Sequence, residues 1–359
     1  MILQFKPYTR VTLNKIKKEV LINRPLTDGN VGQVFELTDV GLEVLESIGE
    51  LTYEELIAKI DNKYPNSIDE IKEIVDFLFE EKYIEVKGKV TLDPSLSLFS
   101  RIIPMWAELE SDGVDRNEIQ RRIMSKKIAV IGCGTIGSSV VAKLTAMGVK
   151  NFVLVDNDVV EETNLTRQPL FSLNDIGQKK TNVLKRYVED RIRDAIISTY
   201  EIHVENTSDM QMLDDADLII SGGDGPGFDK LINEYAVQNQ KAVCYAGAYN
   251  GHNCKVLPIY VPGKSHDIDC IYHFVKADAE FNGETKNKND FVVSTVPYIG
   301  ELIGSIATAE IIKYLTGQVE PYLMNKVLLV NIAKYSIDVL EVPEKYDACT
   351  CSLAKAMSR

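Results

Sequence analysis

Lys127-Ile128-Ala129-Val130-Ile131-Gly132-Cys133-Gly134-Thr135-Ile136-Gly137 is the stretch that decides the fold. A short apolar run passes directly into a G-x-G-x-x-G turn, and the turn opens a helix-spaced apolar pattern at Val140, Val141, Leu144 and Met147. A second apolar run, Phe152-Val153-Leu154-Val155, then delivers Asp156. Strand, glycine turn, helix and a strand ending in an acid form a nucleotide-binding βαβ unit, which predicts an α/β fold built on a doubly wound, mostly parallel, Rossmann-like sheet. At Gly132, Gly134 and Gly137 the backbone can approach phosphate at a helix N-terminus, where the helix dipole favours an anion. Asp156 is placed to accept from a ribose hydroxyl. Taken alone, the unit reads as an NAD site.

The residues that follow point elsewhere. Asn164-Leu165-Thr166-Arg167-Gln168 reads as a loop, and Asp175-Ile176-Gly177-Gln178-Lys179-Lys180-Thr181 opens the next helix. A dehydrogenase needs no cations here, whereas a triphosphate cleaved between its α and β phosphates does. Arg167 can hold phosphate oxygens through two parallel hydrogen bonds, and Lys180 can act as a mobile point charge. A later strand, Asp217 to Ser221, runs into Gly222-Gly223-Asp224, which puts a carboxylate at a strand's carboxyl end where Mg²⁺ can be held. The group suits ATP and Mg²⁺.

These motifs, in this order, resemble the ThiF/MoeB (E1-like) superfamily of adenylating enzymes, over roughly residues 95 to 345. The resemblance implies that Asp156 binds ribose, that Asn164, Arg167 and Lys180 contact the phosphates, that Gln168 and the glycine turn belong to the same nucleotide site, and that Asp224 carries Mg²⁺. It also implies a homodimer in which an arginine, here Arg101 of Ser100-Arg101-Ile102, crosses to the partner's ATP, an ordinary surface arginine being the competing reading. Superfamily members commonly hold a structural Zn²⁺ by two C-x-x-C pairs; here the corresponding positions are Cys270 with His273 and Cys349 with Cys351, a departure at both pairs. Three thiolates and an imidazole can still close a tetrahedral site, and loss of the zinc with leftover thiols is the competing reading. Cys133, Cys244 and Cys254 read as ordinary buried thiols.

Residues 1–90 form a separate pattern. Extended stretches at Thr12-Leu13, Val20 to Ile22 and Gln33 to Leu37 precede a helix capped by Thr38 or Asp39, a second capped near Thr52, a third carrying Ile71, Val75 and Leu78, and a closing strand at Tyr83 to Val86. This small α+β, winged-helix-like order resembles the PqqD-like domain that captures an extended leader peptide on a sheet edge; a dimerisation or structural module is the alternative. Residues 91–126 read as a linker and dimer-contact segment, with Trp106 as core or interface, and 127–359 as the adenylation domain. Near the C-terminus, Ala246 to Gly251 reads as a turn near the site, Asp278 to Asp290 as a mobile loop, Thr295 to Leu315 as a helix with more isoleucine than one buried face needs, and Lys326 to Ile332 with Ser336 to Val342 as a hairpin.

Composition narrows the classes. A formal net charge of −13 over 359 residues argues against nucleic acid and anionic membrane as partners. It suits a peptide with basic residues, or simply a solvated acidic surface. No run approaches the ~18 apolar residues of a membrane span, and the N-terminus lacks an apolar signal core, so a cytoplasmic enzyme with reduced cysteines is expected. The combination of domains resembles the enzymes of microcin C and pantocin A maturation. It implies ATP-dependent adenylation of a carboxylate on a ribosomally made precursor peptide. A sulfur-carrier adenylyltransferase, an NAD-dependent oxidoreductase and a non-catalytic leader-binding scaffold are the other readings.

Overall fold

The computed structural model describes residues 1–24, 32–223, 225, 227–278 and 294–343. The chain divides into two compact units, Met1–Arg121 and Arg122–Arg359, so the segment from 91 to 121 belongs with the N-terminal elements.

In the first unit, β1 (Leu3–Phe5), β2 (Arg10–Asn14), β3 (Glu19–Asn23) and β4 (Gln33–Glu36) precede three helices, α1 (Asp39–Ser47), α2 (Tyr53–Lys63) and α3 (Ile68–Glu80), and β5 (Ile84–Val86) returns to pair antiparallel with β1. Strands β2, β3 and β4 form an antiparallel sheet with β3 in the middle, and its alternation turns Val20 and Ile22 into the core. Thr38 starts α1 by accepting from the Gly41 N–H, and Thr52 and Glu55 form a reciprocal capping box on α2. Ile71, Val75 and Leu78 recur at helical spacing and seat α3 on that core.

A single 3₁₀ turn (Pro94–Phe99) and two short helices, α4 (Ile103–Trp106) and α5 (Arg116–Ser125), follow. The segment before Arg121 is anchored by buried charge: Lys6 Nζ donates to the Ala107 carbonyl (2.8 Å) and to Glu110 (2.9 Å), while Arg116 lies between Glu85 and Glu110. Removing one member of such a cluster leaves a buried charge unpaired, which is strongly destabilising. Trp106 is core, its indole N–H donating to Gln120 Oε1 at 2.9 Å.

The second unit is built on β6 (Lys127–Ile131), α6 (Thr135–Ala146), β7 (Asn151–Val155), α7 (Lys180–Glu189), β8 (Ile196–Tyr200), β9 (Leu218–Ser221), α8 (Phe228–Gln238) and β10 (Val243–Cys244). Among the described residues the sheet order is β13-β10-β9-β6-β7-β8, parallel throughout except for the edge strand β13 (Ile259–Tyr260). The chain turns one way from β6 to β7 and comes back on the other side as β9, so the carboxyl end of β6 is a topological switch point, where such sheets bind ligands. Strands β6, β7 and β9 are apolar along nearly their whole length because both faces are covered.

The expected turn at Ala246 to Gly251 is instead a strand. β11 (Gly247–Asn250) pairs with β12 (Asn253–Val256), which pairs with β14 (Lys326–Asn331), followed by β15 (Ser336–Glu341), in a second, antiparallel sheet. Its hydrogen-bond partners are in the strand that directly follows, Gly247 opposite Val256 and Asn250 opposite Asn253, so the turn signal of Gly247, Asn250 and Gly251 marks a hairpin whose first strand already contains two of those residues. The expected mobile loop, after Asp278 at the end of α9 (Ile268–Asp278), lies outside the described residues. Helix α10 runs from Pro297 to Thr316 and packs along α6, with Gly300 and Gly304 facing Thr135 and Ser139 where a β-carbon would collide. Ile299, Ile303, Ile311 and Ile312 are thereby buried within one chain, and Leu302 and Ile306 are half-buried, so the isoleucine content is largely accounted for without a partner. No described helix is long and apolar enough to cross a membrane.

Candidate active site

At the switch point the carboxyl ends of β6, β7 and β9 open into a cleft of about 800 Å³, within the usual range of small-molecule sites. Gly132 has φ +90° and lies against the backbone of Gly222 and Gly223, so any side chain would collide with the β9 end. Its N–H donates to the Val155 carbonyl and the Gly222 N–H to the Ile131 carbonyl, which fixes the three strand ends together.

Asp156 holds the floor. Its two carboxylate oxygens accept from the backbone N–H of Cys133 (2.6 Å) and of Asp158 (2.7 Å), pinning the glycine turn to the loop after β7. Cys133 itself is buried, and that burial, together with Asp156, pushes its thiol well up, which keeps it from acting as a nucleophile.

Along one wall Asn164 and Gln168 are each 3% exposed. Asn164 Oδ1 accepts from the Glu161 N–H and so closes the 3₁₀ turn Glu162–Thr166, while the Arg167 guanidinium donates to the Thr163 carbonyl (2.9 Å). The Gln168 amide nitrogen faces Thr135 Oγ1 at 3.4 Å, and its buried oxygen has no hydrogen-bond partner among the described residues. A buried acceptor without a donor is costly to leave unmet. Lys180, the first residue of α7, is buried, with its ammonium 2.7 Å from Asp158.

The structure therefore gathers Gly132, Gly134, Asp156, Asn164, Arg167, Gln168 and Lys180 around one cleft, with Gly137 in the first turn of α6 beneath it. Asp224 lies outside the described residues, between Gly223 and Gly225, which both line the cleft. Arg101 is an exposed residue of the N-terminal unit. Cys270 is buried and His273 exposed on α9; Cys349 and Cys351 lie outside the described residues, and no three metal-ligating side chains converge among the described ones. Cys244 and Cys254 are buried thiols, as expected.

Two features escape a sequence reading. Asp158 is one; its spacing of two from Asp156 could have drawn notice. The other is Asp229 at the start of α8, which accepts from Ser221 Oγ (2.8 Å) and from the Tyr272 hydroxyl of α9 (2.6 Å) at the far side of the cleft. Burial raises the Asp229 carboxyl above the usual carboxylate value although both hydrogen bonds pull it down. Burial, with Asp229 beside it, pushes the Tyr272 phenol up.

The chain matches known proteins along most of its length. The family model for the ThiF family matches residues 99–351. The adenylyltransferase and sulfurtransferase UBA4 of Scheffersomyces stipitis is 24% identical over 277 residues, covering 77% of this chain and 56% of UBA4. The chain spans about half the length of the curated relatives it first matches. The sulfur carrier protein adenylyltransferase of Thermus thermophilus is 24% identical, covering 66% of this chain and 89% of that protein. Among solved structures, E. coli MccB superimposes with a TM-score of 0.80 at 21% identity, over 98% of this chain and 100% of MccB. MccB, a microcin C7 biosynthetic enzyme, has also been solved with N-formylated MccA. At that identity the likeness speaks for the fold.

Proposed function

This chain belongs to the ThiF family, and from that premise we propose that it adenylates a carboxylate on a ribosomally made precursor peptide, using ATP and Mg²⁺. The observation that carries the reading is the convergence of Asp156, Asn164, Arg167, Gln168 and Lys180 on one switch-point cleft. A nicotinamide enzyme has no use for that cation set. In the reaction a carboxylate oxygen attacks the α-phosphorus, the bond from that phosphorus to the bridging oxygen breaks, and pyrophosphate leaves with the electron pair. AMP then becomes the leaving group for a nucleophile at the acyl carbon. Arg167 and Lys180 neutralise the departing charge, and Asp224 would hold Mg²⁺ against the same oxygens. Alignment of the reactants supplies much of the rest, and no side-chain base is needed.

The N-terminal unit supports a peptide as the acyl donor. Among the described residues β4 is an edge strand with Val34 65% exposed, and beside it Phe35, Phe77 and Tyr83 form an aromatic cluster with centroids 5.6 to 6.4 Å apart. An unpaired edge next to an aromatic cluster in which Phe77 is exposed over buried Tyr83 is what an added peptide strand needs. The matching of MccB along 98% of this chain, first unit included, favours the same reading. The sulfur-carrier relatives favour a second one, in which the activated carboxylate is a carrier protein's C-terminus. Exchange of labelled pyrophosphate into ATP, with candidate peptides and carrier proteins supplied separately, tests both. Peptide-dependent exchange that disappears in Asp224→Ala is the expected result, whereas ADP release or exchange with a carrier protein alone would overturn the peptide reading.

The same reading makes the chain a homodimer in which Arg101 completes the partner's cleft. Mixing Arg101→Ala with Asp224→Ala protein should then restore part of the activity through heterodimers with one intact site. No recovery from demonstrably exchanged subunits would show that Arg101 does not act across subunits.

A further inference from the structure

Lys180 and Asp158 form an unequal pair. The lysine side chain is 8% exposed and the aspartate 59%, with 2.7 Å between Nζ and Oδ2. An ammonium taken out of water needs a counter-charge, whereas the carboxylate stays hydrated wherever it goes. The backbone around the pair is tied independently of the two charges. Lys180 N–H donates to the Asp158 carbonyl, Val160 N–H to the Gln178 carbonyl, and Gly177 N–H to the Val160 carbonyl. The Asp158 N–H is held by Asp156. The Asp158 carboxylate can therefore let go of Lys180 without loosening the loop that carries it.

The wider cleft gives that release a purpose. Its described lining carries four carboxylates, Asp156, Asp158, Glu161 and Asp229, against two permanent cations, Arg167 and Lys180. One of the two cations is neutralised in advance. A polyphosphate entering the cleft must win Lys180 from a carboxylate at contact distance, and it brings more negative charge to that contest than a monoanion does.

We propose that Asp158 is the resident counter-ion of Lys180, holding the lysine until a polyphosphate arrives, yielding it to phosphate oxygens, and taking it back as pyrophosphate leaves. The proposal rests on the ATP reading above and adds a residue to it. Asp158 is a positioning residue: it touches Lys180 and sets the net affinity of the site for polyphosphate. Its removal has a sign opposite to that of removing a ligand. An enzyme without Asp158 binds nucleotide more tightly and releases pyrophosphate more slowly.

The test is calorimetric titration of the full-length chain with Mg²⁺ and α,β-methylene-ATP, for the wild type, Asp158→Asn, Lys180→Met and the double variant. Asp158→Asn should bind roughly three- to tenfold more tightly, the scale of releasing one partly exposed ion pair. In the Lys180→Met background the same change should leave affinity unaltered, since the two residues act as one unit. Asp158→Ser provides a second variant with the same expected tightening. Single-turnover measurement should show slower pyrophosphate release in Asp158→Asn. If the wild type binds while Asp158→Asn binds equally or less tightly, the counter-ion proposal fails alone, and a loss confined to Mg²⁺-containing titrations would make Asp158 a metal ligand instead. A wild type that binds no adenine nucleotide overturns the ATP reading and this proposal together.

Discussion

Asp229 shows how the cleft tunes a single group. Burial lifts its carboxyl above the ordinary value of 3.8, against the pull of the Tyr272 and Ser221 hydrogen bonds. In the folded state it keeps its proton at pH values where the unfolded chain has lost it, so folding binds the extra proton and stability falls as pH rises from about 3.8 through the raised value. Asp229→Asn carries no such dependence. The variant should therefore gain on the wild type in urea melts as pH rises across that window, and a difference that stays flat would show that Asp229 ionises in place without penalty. At this scale legibility followed sequence distance. Asp156, Asn164, Arg167, Gln168 and Lys180 sit within 25 positions in motifs whose spacing encodes their purpose, and all reach the cleft. Asp229 and Tyr272 are 43 apart on different helices, and no local pattern pairs them.

Elements were legible where their periodicity was local and misread where turn-forming residues sit inside a strand or where the packing partner is remote. The βαβ unit, the helices of the N-terminal unit, two of them capped, and the closing hairpin carry their own signals: glycine turn, Thr38 and Thr52 caps, apolar periodicity. Ala248 and Tyr249 are strand because they pair with Lys255 and Cys254 across a tight hairpin, although turn-forming Gly247, Asn250 and Gly251 surround them. Helix α10 carries more isoleucine than one buried face needs, yet Ile299, Ile303, Ile311 and Ile312 are all buried, with α6 packed closely along it. That closeness depends on Gly304, where a β-carbon would meet Ser139. Gly304→Ala should lower stability by about 1 to 3 kcal/mol through overpacking between the two helices, visible as a reduced melting temperature. If α10 served chiefly as a subunit interface, the change would shift the oligomeric state at low protein concentration and leave the monomer's melting untouched.

For the whole molecule the question is how two units share one reaction. The ThiF match begins at residue 99, and the described lining of the cleft lies entirely beyond residue 130. Among the described residues the β4 edge and its neighbouring aromatic cluster are what the proposed extended peptide would use, and the −13 net charge would suit one with basic residues. Under the proposed peptide reading, tethering the leader to one unit would turn arrival of the reacting carboxylate at the other into an intramolecular event, at an effective concentration of roughly millimolar for a short flexible connection. Three outcomes follow from that arithmetic. A core peptide lacking its leader should react only in large excess, free leader should inhibit turnover of the full-length peptide competitively, and Val34→Pro on the β4 edge should weaken leader binding while nucleotide binding is retained. Leader titrations against wild type and Val34→Pro, run beside nucleotide titrations, separate these effects. Should the leader bind neither protein while a carrier protein still supports pyrophosphate exchange, the acyl donor is the carrier, and the N-terminal unit serves assembly or stability instead of substrate capture.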